Sequence, residues 1–151
     1  MGIFDAFNIN ASGLTAQRYR MDVISQNVAN ANTTRTADGT PYRRKVVTFA
    51  EKGTSTTNSF GSVFRSARNK YSGSGVKVDA VHEDTWTEMN MVYDPSHPDA
   101  DENGYVLYPN VNIITEMTNL IDASRSYEAN ATAFTASKAM ATQGLNIGNR
   151  S

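Results

Sequence analysis

Cysteine is absent from this 151-residue chain. The chain therefore has no disulfide, no thiolate nucleophile and no Cys-ligated zinc, and the absence leaves its redox compartment open. The chain also has no excess of basic charge, because its 14 Lys and Arg are balanced by 15 Asp and Glu, which gives a formal net charge of -1. Without that excess the chain lacks long-range attraction to phosphate polymers, so we expect no nucleic-acid partner.

Long apolar runs are also missing. No stretch approaches 18 consecutive apolar residues, which predicts that the chain has no lipid-spanning segment. The first five residues, Met1 to Asp5, lack the basic start and the unbroken apolar run of a cleaved secretory signal. If the protein leaves the cytoplasm, we expect it to use another route.

Apolar residues repeat with helical spacing at both ends of the chain. The first heptad column of the N-terminal stretch is Phe7, Leu14, Met21 and Val28. We predict that this helix ends between Asn30 and Thr34, where Asn side chains and β-branched residues disfavour helix. The C-terminal stretch starts at an N-cap, Asn110 or Asn112, with Glu116 in its first turn. Its apolar column includes Ile113, Met117, Leu120, Ser124, Tyr127, Ala131 and Phe134.

The period changes to two between the predicted helices. Short runs rich in β-branched and aromatic residues predict three or four strands, at 42–49, 76–81, 86–93 and 105–108. The basic run Arg43-Arg44-Lys45 lies at the start of the first strand, where we expect solvated edge residues. The stretch from Gly53 to Gly75 is rich in Ser, Thr and Gly, which predicts a flexible loop.

Length and energy indicate how these parts are arranged. A helix from Asn112 to Leu145 would be roughly 50 Å long, whereas a compact chain of this size has a radius of gyration of about 15 Å. Ordering both helices costs on the order of 60 to 120 kcal/mol, while about a dozen large apolar side chains return only ~1.5 to 3 kcal/mol each. We therefore expect the helices to become rigid by packing against copies or relatives of the chain.

The predicted fold class is α+β. Long N- and C-terminal helices, over residues 1–34 and 110–148, pack as a coiled-coil-like pair and form a discontinuous inner helical domain. The β-rich middle region spans residues 35–109, with its flexible loop at about 53–75.

Candidate sites for chemistry are few. The segment Asp99 to Gly104 fits the first positions of a calcium-binding loop, but position 12 is Asn110 and not the bidentate Glu, so an acidic turn explains it better than a weak cation site. His82 and His97 have no partner at metal-ligand spacing, and no acid and base pair converges. We predict no catalytic residue, metal or cofactor. A calcium-responsive binding module and a cytoplasmic coiled-coil adaptor stay open as alternatives.

Both ends of the chain resemble a known family. The stretches Ala11 to Gln17 and Arg20 to Asn30, followed by Thr33-Thr34, are similar to the N-terminal signature of bacterial flagellar rod and hook proteins. Pro109 to Asn112 and Ala123 to Asn130 are similar to the C-terminal motif of the same family. The short length, Tyr93-Asp94-Pro95 and the 99–106 segment make the resemblance closest to the proximal rod protein C family.

The resemblance implies a non-enzymatic subunit of the proximal rod of the flagellar basal body, which polymerises through its terminal helices into the axial drive-shaft tube. It implies export through the flagellar type III apparatus without a cleaved signal peptide, and assembly with copies of itself, with rod proteins B, F and G and with the export-gate adaptor protein E. The resemblance implies that eight residues pack in the axial core, namely Leu14, Met21, Ile24, Val28, Met117, Leu120, Tyr127 and Phe134. It also implies polar bonds between subunits at Asn27, Asn30, Arg125 and Asn130.

Overall fold

A computed structural model describes residues 3–52, 64 and 73–148 of the chain. Helix α1 (Ile3–Ala29) is followed by strands β1 (Lys45–Glu51), β2 (Val76–Glu83), β3 (Asn90–Tyr93) and β4 (Tyr105–Tyr108), and by helix α2 (Ile113–Gly148). Two long terminal helices that enclose small sheets confirm the predicted α+β class. Most of the loop predicted at 53–75 lies outside the described residues.

The two helices pack against each other in antiparallel orientation. Near the start of α1, the ring of Phe7 meets that of Phe134 edge to face, with centroids 5.2 Å apart. At the other end of α1, Asn27 contacts Glu116 in the first turn of α2. At 1.5 Å per residue α1 is about 40 Å long and α2 about 54 Å, so the last two turns of α2 extend beyond α1.

The face of α2 that packs on α1 is a heptad column of small and polar residues. Its members are Glu116, Ala123, Asn130 and Ser137, of which all but half-buried Asn130 are buried. Asn10 donates a hydrogen bond to Ser137 at 3.3 Å, and Ala16 of α1 is buried as well. Small side chains in this column let the two helix backbones approach each other.

At Gly13 the backbone of α1 lies directly against the side chain of Asn130 on α2. A Cβ atom at Gly13 would lie 2.9 Å from Oδ1 of Asn130, whereas a Cβ at Gly144 would meet nothing within 4 Å. We expect Gly13→Leu to lower the free energy of unfolding by about 1 to 3 kcal/mol because the added side chain forces the helices apart. Gly144→Leu, in the same type of helix, is the matched control.

Urea unfolding of the two variants, followed by circular dichroism, measures this difference. The control should keep or exceed the stability of the unmodified chain, since Leu favours helix over Gly. Equal stability of the two variants would mean that α1 and α2 do not approach closely at Gly13.

The two helix ends are set by Asn side chains. Asn112 is the N-cap of α2, because its Oδ1 accepts hydrogen bonds from the backbone N–H groups of Ile114 and Thr115 at 3.0 and 3.2 Å. The α1 helix ends at Ala29, where Asn30 donates from its side chain to the Gln26 carbonyl at 2.9 Å. The observed end of α1 and the observed start of α2 are thus close to the predicted ones.

The strands form two separate antiparallel pairs. Strand β1 pairs with β2 from Lys45↔Glu83 to Glu51↔Val76, with a bulge between Thr48 and Phe49. Strand β3 pairs with β4 from Asn90↔Tyr108 to Tyr93↔Tyr105. The prediction for 105–108 is confirmed, whereas the first strand starts three residues later than predicted and the third covers only the last four residues of the predicted run.

The β1–β2 sheet packs on α1. At the end of the sheet where β2 begins, the Val76 backbone N–H donates a hydrogen bond to the Ser12 hydroxyl of α1 at 3.1 Å. At its near end, strand β1 begins next to Asn27. A small apolar cluster of Ala31, Tyr42 and Val111 fills the space where the end of α1, the start of β1 and the start of α2 meet. This meeting point is the best-buried part of the described chain.

Candidate assembly site

A buried polar network, which we call the junction, fastens the two helices to the sheets at one end of the helix pair. Its members are Asn27, Tyr42, Arg44, Asp84, Asn110 and Glu116. Asn27 lies at its centre with 0% of its surface exposed. Its Nδ2 group donates to the Lys45 carbonyl at 2.8 Å and to Glu116 Oε2 at 2.9 Å. Its Oδ1 atom accepts from the Tyr42 hydroxyl and the Lys45 backbone N–H, both at 2.9 Å. Asn27 thus uses both of its amide protons and both acceptor positions within the chain.

Glu116 and Arg44 form the ionic part of the junction. Glu116 is 1% exposed, and its Oε1 atom accepts from Arg44 Nε at 2.9 Å and from Arg44 Nη2 at 2.7 Å. A buried carboxylate is tolerated only with such charge-assisted partners. The prediction that Arg44 is a solvated edge residue was wrong, because the end of α1 and the first turn of α2 cover the start of β1.

Asn110 and Asp84 connect the junction to the second sheet. Asn110 accepts from the Arg44 backbone N–H at 2.9 Å, and its Nδ2 group donates to the carbonyls of Asp84 and Thr87 at 2.9 and 3.2 Å. The carboxylate of Asp84 accepts from the backbone N–H groups of Trp86 and Thr87 and from the Thr87 hydroxyl. These bonds fix the turn that leads from β2 towards β3.

Two pKa values in the junction are displaced. Burial, followed by the negative charges of Glu83 and Glu116, raises the pKa of Tyr42, which keeps its hydroxyl protonated as a donor to Asn27. Hydrogen bonds from the Thr87 backbone and hydroxyl lower the pKa of Asp84, with a smaller contribution from the positive charge of Arg44. Asp84 is therefore held as a carboxylate.

The lowered pKa of Asp84 predicts an acid-dependent loss of stability. An ordinary Asp has a pKa of about 3.9, and a folded-state pKa below that value stabilises the fold at higher pH and stops doing so as the pH falls through it. We expect the urea midpoint of the native chain to fall between about pH 5 and pH 2 more steeply than that of Asp84→Asn. Parallel curves for the two proteins would contradict a role for the Asp84 charge.

The twelve candidate assembly residues lie in three environments. Ile24 and Asn27 are buried within the chain. Met117, 55% exposed, and Arg125 lie on the surface. The half-buried members are Leu14, Met21, Val28, Asn30, Leu120, Tyr127, Asn130 and Phe134. The structure brings Asn130 against Gly13 and Phe134 against Phe7, whereas Arg125 has no hydrogen-bond or ion-pair partner among the described residues.

Large apolar side chains of α2 are exposed at both ends of the helix. Its N-terminal half presents Ile113, Ile114, Met117 and Ile121, and its C-terminal part presents Met140, Leu145 and Ile147. These residues lie away from the contact column that meets α1. Exposed apolar rows on a long helix mark a surface that another molecule covers.

The acidic segment Asp99 to Gly104 forms a hydrogen-bonded turn. Asp99 accepts from the Thr34 hydroxyl at 2.8 Å and pairs with Arg35 at 3.5 Å. Asp101 accepts from the backbone N–H groups of Asn103 and Tyr105. In the part of the chain that the structure describes, no three His, Asp or Glu residues converge as metal ligands, and neither helix there combines the length and apolar content needed to cross a bilayer.

Terminal helices that enclose a β-rich middle and leave apolar rows exposed are typical of a subunit that assembles with other chains through its helices. Family models agree at both ends of the chain, with a flagella basal body rod protein match over residues 7–35 and a flagellar basal body rod FlgEFG protein C-terminal match over residues 102–147. The flagellar basal-body rod protein FlgC of Bacillus subtilis is 46% identical over 98% of this chain and 99% of its own. The FlgC proteins of Borreliella burgdorferi and Salmonella typhimurium are 43% and 38% identical, each over at least 97% of both chains. This chain belongs to the family of the flagellar basal-body rod protein FlgC, which confirms the predicted resemblance.

Proposed function

We propose that this chain is a structural subunit of the proximal rod in the bacterial flagellar basal body and that it polymerises through its terminal helices. The observation that carries the proposal is the near full-length identity to FlgC proteins, which are basal-body rod proteins. The FlgC family is a structural one, and its members assemble with other rod components. The localisation that follows is the basal body.

The surface of the helix pair supports polymerisation through the helices. Within the chain, α1 and α2 meet along the column of Glu116, Ala123, Asn130 and Ser137, so this contact does not use the apolar side chains at Ile114, Met117 and Ile121. Burial of each such side chain in a neighbouring subunit returns roughly 1.5 to 3 kcal/mol. The helices of neighbouring subunits are the partners that offer matching apolar rows.

The candidate assembly residues divide into two roles under this proposal. Ile24 and Asn27 act within the subunit, where the junction fixes the angle between the helices and the sheets. Asn130 and Phe134 also contact α1 within the subunit, and intersubunit packing falls to the remaining exposed and half-buried members, with Met117 and Arg125 exposed on the surface. The finer partners that we propose are copies of this chain, rod proteins B, F and G, the export-gate adaptor protein E and the type III export apparatus.

Electron microscopy of purified basal bodies tests the proposal. Cells that produce this chain with a small C-terminal peptide tag are expected to yield basal bodies in which an antibody to the tag labels the rod. A deletion strain should lack the rod and regain it when the unmodified gene is returned. Complete rods in the deletion strain, or label that stays in the cytoplasm, would contradict the proposal and favour a cytoplasmic adaptor.

A further inference from the structure

The turn between β3 and β4 contains a pair of residues that can react with each other. Asn103 is followed by Gly104, and no other Asn in the sequence precedes a glycine. The side chain of Asn103 is exposed at the tip of the strand pair. Because glycine has no Cβ, residue 104 does not shield its own backbone nitrogen from the neighbouring side chain. The side-chain amide of Asn103 and the backbone nitrogen of Gly104 are the two groups that combine when an asparagine is deamidated.

Deamidation at this pair needs only the chain and water. The Gly104 nitrogen attacks Cγ of Asn103, so that a new C–N bond forms while the bond from Cγ to the side-chain nitrogen breaks. The proton from the Gly104 nitrogen leaves with the side-chain nitrogen as ammonia. The product is a cyclic succinimide, which water opens at either of its carbonyls. Residue 103 is then an aspartate or an isoaspartate.

Hydrogen bonds to Asp101 restrain both reacting groups. The Gly104 N–H donates to the Asp101 carbonyl at 3.0 Å, so the proton that must leave is already bound. The Asp101 carboxylate accepts from the backbone N–H groups of Asn103 and Tyr105 at 2.9 and 2.8 Å. Bonds to an ionised acceptor are roughly twice as strong as neutral ones. The turn must therefore open before the Gly104 nitrogen can attack.

We infer that Asn103 is a site of spontaneous deamidation and that the hydrogen bonds to Asp101 set its rate. Deamidation is a covalent modification of the chain, so the inference goes beyond the proposed structural role. Asp101 is a positioning residue here, because it holds the turn closed and takes no part in the bonds that form and break.

Either product changes the outer end of the β3–β4 pair. Aspartate adds a negative charge next to the exposed side chains of Asp101 and Glu102. Isoaspartate lengthens the main chain by a carbon atom where the turn is tightly packed, since a Cβ on Gly104 would lie 3.0 Å from the Tyr93 ring and 3.3 Å from Pro95. We therefore expect isoaspartate to displace the Tyr93 ring from the turn.

Peptide mass spectrometry of the purified full-length chain tests the inference. The chain is kept in warm, mildly alkaline buffer, and the conversion of each Asn is followed with time. We expect Asn103 to convert before the other Asn residues. Asp101→Ala should convert at residue 103 about tenfold faster, the factor that corresponds to a loss of about 1.4 kcal/mol of hydrogen bonding. Asp101→Asn, which keeps an acceptor oxygen without the charge, should lie between the two.

The turn before β1 supplies an internal control. Asp38 is exposed and precedes Gly39, whose N–H donates to the Thr36 carbonyl at 3.0 Å. Asp38 can form the same ring with loss of water, and isoaspartate at this position is measured in the same samples. Opening of the β3–β4 turn alone should change the rate at residue 103 and leave the rate at Asp38 as it is.

Three results would overturn the inference. Asn103 could convert no faster than the other Asn residues, or Asp101→Ala could convert at the native rate. Asp101→Ala could also speed the reactions at Asn103 and Asp38 equally, which would trace the effect to general unfolding. None of these results bears on whether the chain is found in the rod, so the proposed function is tested separately.

Discussion

Cells in which Phe134→Asp replaces the native chain are expected to be non-motile and to lack assembled rods. Phe134 is half-buried against Phe7 where the two helices meet, and the substitution places an unpaired carboxylate in that contact. Loss of solvation without a partner costs several kcal/mol at each site. Every subunit of the rod carries the same defect. Motility assays and electron microscopy of basal bodies measure the outcome.

Phe134→Leu is the matched control for this substitution. It keeps an apolar side chain of similar size in the same contact, so rods and motility should persist, with a loss of at most about 1.5 kcal/mol per subunit. Met21→Asp and Val28→Asp should reproduce the Phe134→Asp defect, because both residues are half-buried on α1. Motile cells with normal rods in the Phe134→Asp strain would show that the contact between Phe134 and Phe7 is not needed for assembly.

Glu116→Ala is expected to destabilise the isolated chain by about 3 to 5 kcal/mol, the usual effect of removing one partner from a buried ion pair. The substitution removes the carboxylate that accepts two hydrogen bonds from the Arg44 guanidinium, leaving Asp84 at 3.7 Å, and it removes one of the two acceptors of the Asn27 amide. Urea unfolding followed by circular dichroism gives the free energy of unfolding. A double-mutant cycle with Arg44→Ala isolates the interaction between the two charges.

Glu128→Ala serves as the control because Glu128 lies exposed on the same helix. Its effect should stay within about 0.5 kcal/mol. The loss of unfolding free energy in Glu116→Gln should lie between those of the two Ala variants, since Gln keeps a polar group for Asn27 and loses the charge that pairs with Arg44. If Glu116→Ala and Glu128→Ala unfold at the same urea concentration, the junction does not hold the helices to the sheets.

The elements of the fold could be predicted because each has a local signal. Heptad spacing identified both helices, Asn112 was one of two candidates for the cap of α2, and the run Tyr105–Tyr108 was found as a strand by its β-branched and aromatic residues. These signals depend on residues within one or two turns of each other. Periodicity of apolar residues was therefore enough for the helices and for most strands.

Two features could not be predicted in the same way, namely the contact between α1 and α2 and the polar network of the junction. The contact column of α2 contains Glu116, Asn130 and Ser137, whose polarity hides it from a search for apolar periodicity. Arg44 and Glu116 are 72 residues apart, so their pairing depends on the tertiary fold. A possible sequence signal was the seven-residue spacing of small and polar residues on α2, together with the small residues Gly13 and Ala16 on α1.

The pairing of the two ends of the chain also determines the order in which the protein folds. Asn10 meets Ser137 across 127 residues, and Asn27 meets Glu116 across 89. Contacts at such separations require the closure of a long loop before they return any energy, which slows folding. During synthesis the helix pair cannot form until the last third of the chain has been made. The N-terminal segment therefore stays without its partner helix for most of that time.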